Sequence, residues 1–163
     1  MIRKAELRDI PELMEIYNDA ILNTTATFDT EVKDYENRLA WFREHEGKYR
    51  LLVKELDGRI AGYASLSRYR DRKAFDAAVE ISVYIHKDYR GRKVGQELMK
   101  EILAFAKECQ DIETVISLIT SNNAVSIYLH EKFGFSFCGQ IQNAGNKFGE
   151  KLSLNAYQII YER

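Results

Sequence analysis

Glu80 interrupts an apolar run, Ala77-Ala78-Val79-Glu80-Ile81. A carboxylate there is costly to bury unless it is paired or put to use. It reads as a solvated side chain on an open strand face, as the partner of a nearby arginine, or as a general base acting directly or through water. A second group lies downstream, where Tyr89-Arg90-Gly91-Arg92-Lys93-Val94-Gly95-Gln96 opens a helical pattern. Helix N-termini offer unpaired N–H groups and the positive end of a dipole. A basic, glycine-containing turn there suits a phosphate or pyrophosphate; otherwise it is an ordinary strand–helix turn with solvated arginines. Neither GxxxxGKS/T nor GxGxxG occurs, so a P-loop and a dinucleotide fingerprint are both excluded. A third group, Asn123, Ser126 and His130, falls at i, i+3 and i+7 and shares one helix face. Asn123 also suits a helix start. Arg70 and Arg72 approach the Glu80 strand, either as solvated loop residues or as guanidinium forks for a carboxylate or phosphinate. Phe28 reads as an apolar wall or as an ordinary core aromatic.

These groups need elements to hold them. Residues 1–6 read as an edge strand. A helix follows, with Asp9 as its cap, Pro11 in its first turn and an apolar stripe of Ile10, Leu13, Met14, Tyr17 and Ile21. After the polar loop 23–30, a helix over residues 34–46 partly buries Leu39, Trp41 and Phe42. Strands at 49–56 and 59–69 flank Asp57-Gly58, a hairpin signal because both turn residues need positive φ. The strand at 77–85 places Val79, Ile81, Val83 and Ile85 on one face and Glu80, Ser82 and Tyr84 on the other. The short loop 86–92 feeds a helix at 93–108. A strand at 114–120, apolar on both faces, a helix at 123–132 ending before Gly134, and a strand pair at 135–141 and 152–161 around a loop at 143–150 complete the chain. The order β-α-α-β-β-β-α-β-α-β-β implies one parallel crossover within a mostly antiparallel sheet. The fold class is a mixed α/β sheet in a single domain, residues 1–163.

Composition agrees. The 163 residues are 45% hydrophobic and 30% charged, with one proline, which excludes disordered and collagen-like classes. With 24 basic and 25 acidic residues the formal charge is -1, so no broad nucleic-acid footprint is expected. No apolar run is long enough to span a bilayer, and no signal peptide or membrane association is expected. Cys109 and Cys138 read as reduced structural thiols of a cytoplasmic protein rather than nucleophiles, and no metal-ligand pattern occurs.

Two runs together carry a resemblance. Arg90-x-x-Lys93-x-Gly95, after a Val-Tyr-Ile strand, resembles the R/Q-x-x-G-x-G/A acetyl-CoA motif of the GCN5-related N-acetyltransferases (GNAT family). Asn122-Asn123-Ala124 through Glu131-Lys132-Phe133-Gly134-Phe135 resembles their second motif. Thr24-Thr25-Ala26-Thr27-Phe28-Asp29, Val79–Ile85, Leu129-His130-Glu131 and Lys147-Phe148-Gly149 resemble the phosphinothricin and methionine sulfoximine acetyltransferases within that family. The resemblance implies the GNAT fold, with one splayed parallel strand pair, and acetyl-CoA as cosubstrate. It implies acetylation of the α-amino group of a small amino-acid-like substrate, in a homodimer. Glu80 is then the general base, and His130 stands where many relatives have a tyrosine that protonates the departing thiolate, a task for histidine unless it only holds a structural hydrogen bond. Val83, Tyr84, Ile85, the turn Arg90, Gly91, Arg92, Lys93, Val94, Gly95 and Gln96, and Asn123 and Ser126 would bind the cofactor. Phe28, Arg70, Asp71, Arg72, Ile81 and Ser82 would meet the substrate beside Glu80. Lys93 replaces the motif's first glycine, which predicts side-chain crowding offset by an added ammonium near the phosphates. Leu152 and Ser153 stand where this subfamily suggests a tryptophan and an acid. Alternative readings are a protein or peptide N-acetyltransferase and a CoA-binding module without turnover.

Overall fold

The computed structural model describes residues 1–163. The chain opens on β1 (Ile2–Lys4), an edge strand paired antiparallel with β2 (Leu51–Leu56). Between them lie α1 (Ile10–Asn23) and α2 (Tyr35–Arg43). β3 (Arg59–Arg68) returns through Asp57-Gly58, whose φ values of 52° and 74° bear out the hairpin turn. Then come β4 (Ala78–Ile85), α3 (Val94–Glu108), β5 (Thr114–Thr120), α4 (Ala124–Lys132), β6 (Ser136–Lys147) and β7 (Glu150–Ile160). One seven-stranded sheet runs β1-β2-β3-β4-β5-β7-β6, and only β4–β5 is parallel.

Each face of the sheet has its own helices. On one side α3 buries Leu98, Met99 and Ile102 against Leu66, Val79, Ile81 and Val115. Each such side chain contributes about 1.5–3 kcal/mol on leaving water. On the other side Leu13 and Ile16 of α1 pack on Leu51, Val53, Ile60 and Tyr63, and Trp41 and Phe42 of α2 join them. The period-two alternation of β4 therefore sends Val79 and Ile81 toward α3, and Glu80, Ser82 and Tyr84 toward α1 and α2.

Three expectations need correction. Asp9 does not cap α1 with its side chain. A short 3₁₀ turn at Leu7–Asp9 precedes the helix, and the carboxylate turns back to the Arg3 guanidinium at 2.8 and 3.0 Å and to the Glu6 N–H at 2.8 Å. The second helix stops at Arg43 rather than at residue 46. The loop expected at 143–150 is mostly strand, because β6 and β7 continue to a turn at Phe148-Gly149. The register shifts between Ile141 and Gly145, and Asn143 takes a φ of 53°. A bulge needs the residue types that also mark loops, so the two look alike in sequence.

Candidate active site

The parallel pair is short. β4 and β5 are in register only at Ala78–Thr114, Val79–Val115 and Glu80–Ile116. Beyond Glu80, β4 stays with β3 and β5 stays with β7, so the two strands part. The gap is a void of about 930 Å³. Its walls are residues 81–85, Ser117 to Thr120, the turn before α3 and the first turns of α4. The edge of β4 facing this gap carries backbone N–H and C=O groups with no ladder partner, available to a ligand.

The turn is shaped by backbone conformation. Gly91 and Lys93 have φ of 77° and 63°, and α3 begins only at Val94. The Glu97 N–H bonds to the Lys93 carbonyl at 3.1 Å, and the N–H groups before it are the unpaired ones of a helix start. Arg90, Gly91, Lys93, Val94, Gly95 and Gln96 all line the void. Arg92 is exposed beside it, its guanidinium 5.4 Å from the Tyr89 ring centroid. The Lys93 side chain is exposed, so the expected crowding is absent. The strain lies instead in the left-handed backbone, which costs a non-glycine residue about 1–2 kcal/mol.

On α4, Asn123 caps the helix by accepting the Ser126 N–H at 3.2 Å, and both residues border the void. His130 is only 4% exposed. Its Nδ1–H donates to the Ser126 carbonyl at 2.7 Å, which leaves Nε2 to accept the Ser117 hydroxyl at 2.9 Å. Burial pushes its pKa below the usual histidine value. The ring is a neutral pin between α4 and β5, with both nitrogens engaged.

A second, smaller cavity of about 350 Å³ lies on the α1–α2 face of the sheet. Ser65, Ser67, Glu80 and Ser82 form its floor, and Tyr17, Arg38, Trp41 and the loop 26–28 form its roof. It meets the larger void at Ser82, Tyr84 and Leu118. Glu80 is half-buried and has no hydrogen-bonding partner within the chain. Burial raises its pKa above the ordinary 4.5, and the Arg70 charge opposes that in part. The roof is pinned at several points. Lys147, itself buried, donates to the Thr27 carbonyl at 2.8 Å, and the Tyr17 hydroxyl bonds to Asp29 and Thr27. Burial and the bond to Asp29 push the Tyr17 pKa up to about 12, with the Thr27 bond opposing them in part. Phe28 lines the cavity and lies against Gly145, where an added Cβ would come within 2.7 Å of the ring.

The structure thus gathers Phe28, Glu80 and Ser82 in one cavity. Ile81 points to the other face and reaches the larger void instead. Arg70, Asp71 and Arg72 are exposed on the adjoining loop and do not line the cavity; Arg70 stacks 4.2 Å over Tyr69. Tyr17, Arg38, Trp41, Tyr63 and Lys147 escaped sequence reading as residues of the site. Tyr17 looks like part of a core stripe. Arg38 and Trp41 sit at i and i+3, a spacing that could have flagged a cation and an aromatic on one helix face.

Residues 11–135 match the model of the acetyltransferase (GNAT) family. An L-methionine sulfoximine/L-methionine sulfone acetyltransferase of Pseudomonas aeruginosa is 38% identical over 160 residues, covering 97% of this chain and 92% of that one. The Salmonella typhimurium protein yncA, solved with its cofactor acetyl-CoA, superposes with a TM-score of 0.95 at 35% identity, covering 100% of this chain and 94% of that one. A ribosomal-protein-alanine N-acetyltransferase from Brucella melitensis gives a TM-score of 0.93 at 37% identity, covering 98% and 99%. The chain belongs to the acetyltransferase (GNAT) family and is an acetyl-CoA-dependent N-acetyltransferase.

Proposed function

We propose that the enzyme acetylates the α-amino group of a small amino-acid-like substrate of the phosphinothricin, methionine sulfoximine or methionine sulfone type, with Glu80 as general base. One observation carries this reading. The unpartnered carboxylate lies in a small cavity on β4, one register step from where that strand opens onto the larger void. The larger void suits the long cosubstrate, with its pyrophosphate at the α3 N-terminus and its thioester carbonyl on backbone N–H near Val83 or Tyr84, an oxyanion-type contact.

A substrate amine of pKa about 9 needs about 2.7 kcal/mol to lose its proton at pH 7. Glu80 takes that proton directly or through water. The free amine then attacks the thioester carbon, a C–N bond forms, the C–S bond breaks, and the second amine proton leaves with solvent. The thiolate has an ordinary thiol pKa near 8.5 and takes its proton from water, so His130 need not supply it. Arg70, whose charge is felt at Glu80, and Arg72 on the same exposed loop receive the α-carboxylate that lies beside the amine. Phe28 supplies an apolar wall.

The Brucella relative favours a second reading, acetylation of a protein N-terminus. A cavity of about 350 Å³ roofed by Tyr17, Arg38 and Trp41 argues for a small molecule. A thiol-release screen decides between them. Turnover of methionine sulfone, methionine sulfoximine or phosphinothricin well above that of alanine-terminated peptides is expected; turnover of peptides alone overturns the amino-acid reading.

We also propose a homodimer. β6 is a twelve-residue strand at the end of the sheet, and Phe137, Ile141 and Phe148 are exposed on it and its turn. A long edge strand bearing exposed apolar side chains is open to pairing with a second chain. Sedimentation should give twice the chain mass at micromolar concentration; a monomer overturns the assignment.

A further inference from the structure

Arg38 is 7% exposed, yet its guanidinium makes no hydrogen bond and no ion pair with the protein, and its Nε is buried without a partner. It lies over two rings, 4.6 Å from the centroid of Tyr17 and 4.3 Å from that of Trp41. Cation–π contacts offset part of the cost of taking a charge out of water, but they leave the in-plane N–H donors unmatched. Arg50 also has an unpaired Nε, but it is less buried and borders neither of the two cavities. Arg38 alone joins burial, an unsatisfied fork and a position on the wall of the small cavity.

We propose that Arg38 determines specificity by binding a distal oxygen of the substrate side chain, such as a sulfone, sulfoximine or phosphinate oxygen, at the end of the cavity opposite Glu80. This rests on the amino-acid reading above. The position of the fork follows from α2. Asp34 caps that helix by accepting the Asn37 N–H at 2.8 Å. His45 bridges the Trp41 carbonyl at 2.8 Å and the Ser67 hydroxyl at 3.1 Å, and Trp41 stacks on Tyr63 at 5.6 Å. The guanidinium is therefore held before any ligand arrives.

Spacing says which substrate group it meets. Tyr17, under Arg38, stacks on Tyr84, which faces Tyr63 across the β3–β4 ladder. Glu80 faces Ser67 in the same ladder. The two cross-strand pairs are four residues apart, about 13 Å at ~3.3 Å per residue. An amino acid with sulfur or phosphorus after Cγ spans about 6 Å from its nitrogen to a distal oxygen. A hydrogen bond of about 3 Å at each end brings the reach to about 12 Å. The α-carboxylate, two bonds from the nitrogen-bearing carbon's amine, stays at the Glu80 end. With the amine at its base, the side-chain oxygen extends further along the cavity than the carboxylate does.

The test compares methionine sulfone with norleucine, which has similar length and no distal oxygen. The full-length enzyme is assayed by thiol release with acetyl-CoA, and methionine sulfone binding is measured by calorimetry with CoA present. The native enzyme should favour the sulfone by tenfold or more in kcat/KM, the usual worth of a charged hydrogen bond. Arg38→Met should reduce that ratio to within about threefold and weaken sulfone binding about tenfold. If Arg38→Met does not melt cooperatively, Arg38→Gln is read by the same ratio. An undiminished ratio in the folded variant, or no preference in the native enzyme, overturns the role of Arg38 while leaving amino-acid acetylation standing. No turnover of either amino acid, with turnover of peptides, overturns both.

Discussion

The large void between β4 and β5 and the small cavity over the sheet share Ser82 and Tyr84, yet they recognise by different means. The void is bounded largely by runs of consecutive backbone: the edges of β4 and β5, the turn before α3, and the starts of α3 and α4. In the proposed reading, its affinity for a phosphate comes from N–H groups that every residue type but proline carries. The cavity is bounded by side chains drawn from α1, α2, the loop 26–28 and four strands. In the proposed reading, its selectivity rests on individual groups, the Glu80 carboxylate and the Arg38 guanidinium. Substitutions in the cavity should therefore change chemistry and substrate choice, and those in the void should change cofactor affinity.

Glu80→Gln gives the largest expected separation. It keeps the shape of the cavity and removes the base, so kcat should fall about 10²–10⁴-fold. The deficit should narrow at high pH, where the free amine is abundant. Acetyl-CoA affinity should stay within about twofold. Because burial raises the folded pKa of Glu80 above 4.5, activity of the native enzyme should decline as pH falls through that raised value. Stability has the opposite sense: the contribution of this group is complete below about pH 4.5 and is lost as pH rises through the folded pKa. Glu80→Gln should flatten that part of the stability profile. A near-native kcat at pH 7 would remove Glu80 from the chemistry.

The void should respond through ligand linkage. Acetyl-CoA at 100 times its Kd should stabilise the native chain by about 2.7 kcal/mol, read as a rise in Tm. At Gly95 an added Cβ meets Leu129 at 3.5 Å and Ile85 at 3.8 Å, ordinary contacts, so Gly95→Ala should keep the shift. Gly95→Leu has no room beyond those contacts and should lose most of it. Equal shifts in both variants and the native chain would take this turn out of the cofactor site.

The same contrast explains what the sequence made legible. The Asp57-Gly58 hairpin, the alternation of β4 and the turn before α3 are local patterns, and all three stand as expected in position. Arg38 was opaque because α2 shows its apolar residues more clearly than its one buried charge, and because its partner Tyr17 lies 21 residues away. Lys147 was opaque because a bulged strand has the composition of a loop. The misplaced strain at Lys93 has a physical cause as well: composition shows a side chain, whereas the demand at that position falls on φ.

His130 stands on the wall of the void and tests whether that wall is chemical or structural. Removing a buried ring with hydrogen bonds at both nitrogens should cost about 2–3 kcal/mol of stability in His130→Ala. kcat of the folded variant should remain within about threefold. A fall of a hundredfold or more with the fold intact would make His130 the proton donor to the thiolate. The lowered pKa predicts a matching stability profile. Since the folded ring takes a proton less readily than the unfolded one, its contribution is complete above about pH 6.5 and is lost as pH falls through the folded value. His130→Ala should lack that acid-side decline.

The smallest effect separates backbone from charge within the turn itself. Lys93 pays a left-handed conformation and offers an exposed ammonium beside the void. Glycine takes φ of 63° without a Cβ penalty but leaves the unfolded chain more flexible. Lys93→Gly should therefore raise the stability of the ligand-free chain by no more than about 1 kcal/mol. If the ammonium meets the pyrophosphate, the same variant should bind acetyl-CoA a few-fold more weakly at low salt, with the difference fading as ionic strength screens the charge. Ligand-free melting and a salt series of acetyl-CoA titrations read the two contributions independently. A rise in Tm with unchanged affinity at every salt concentration would leave Lys93 a strained substitute for glycine, with the phosphates held by backbone alone.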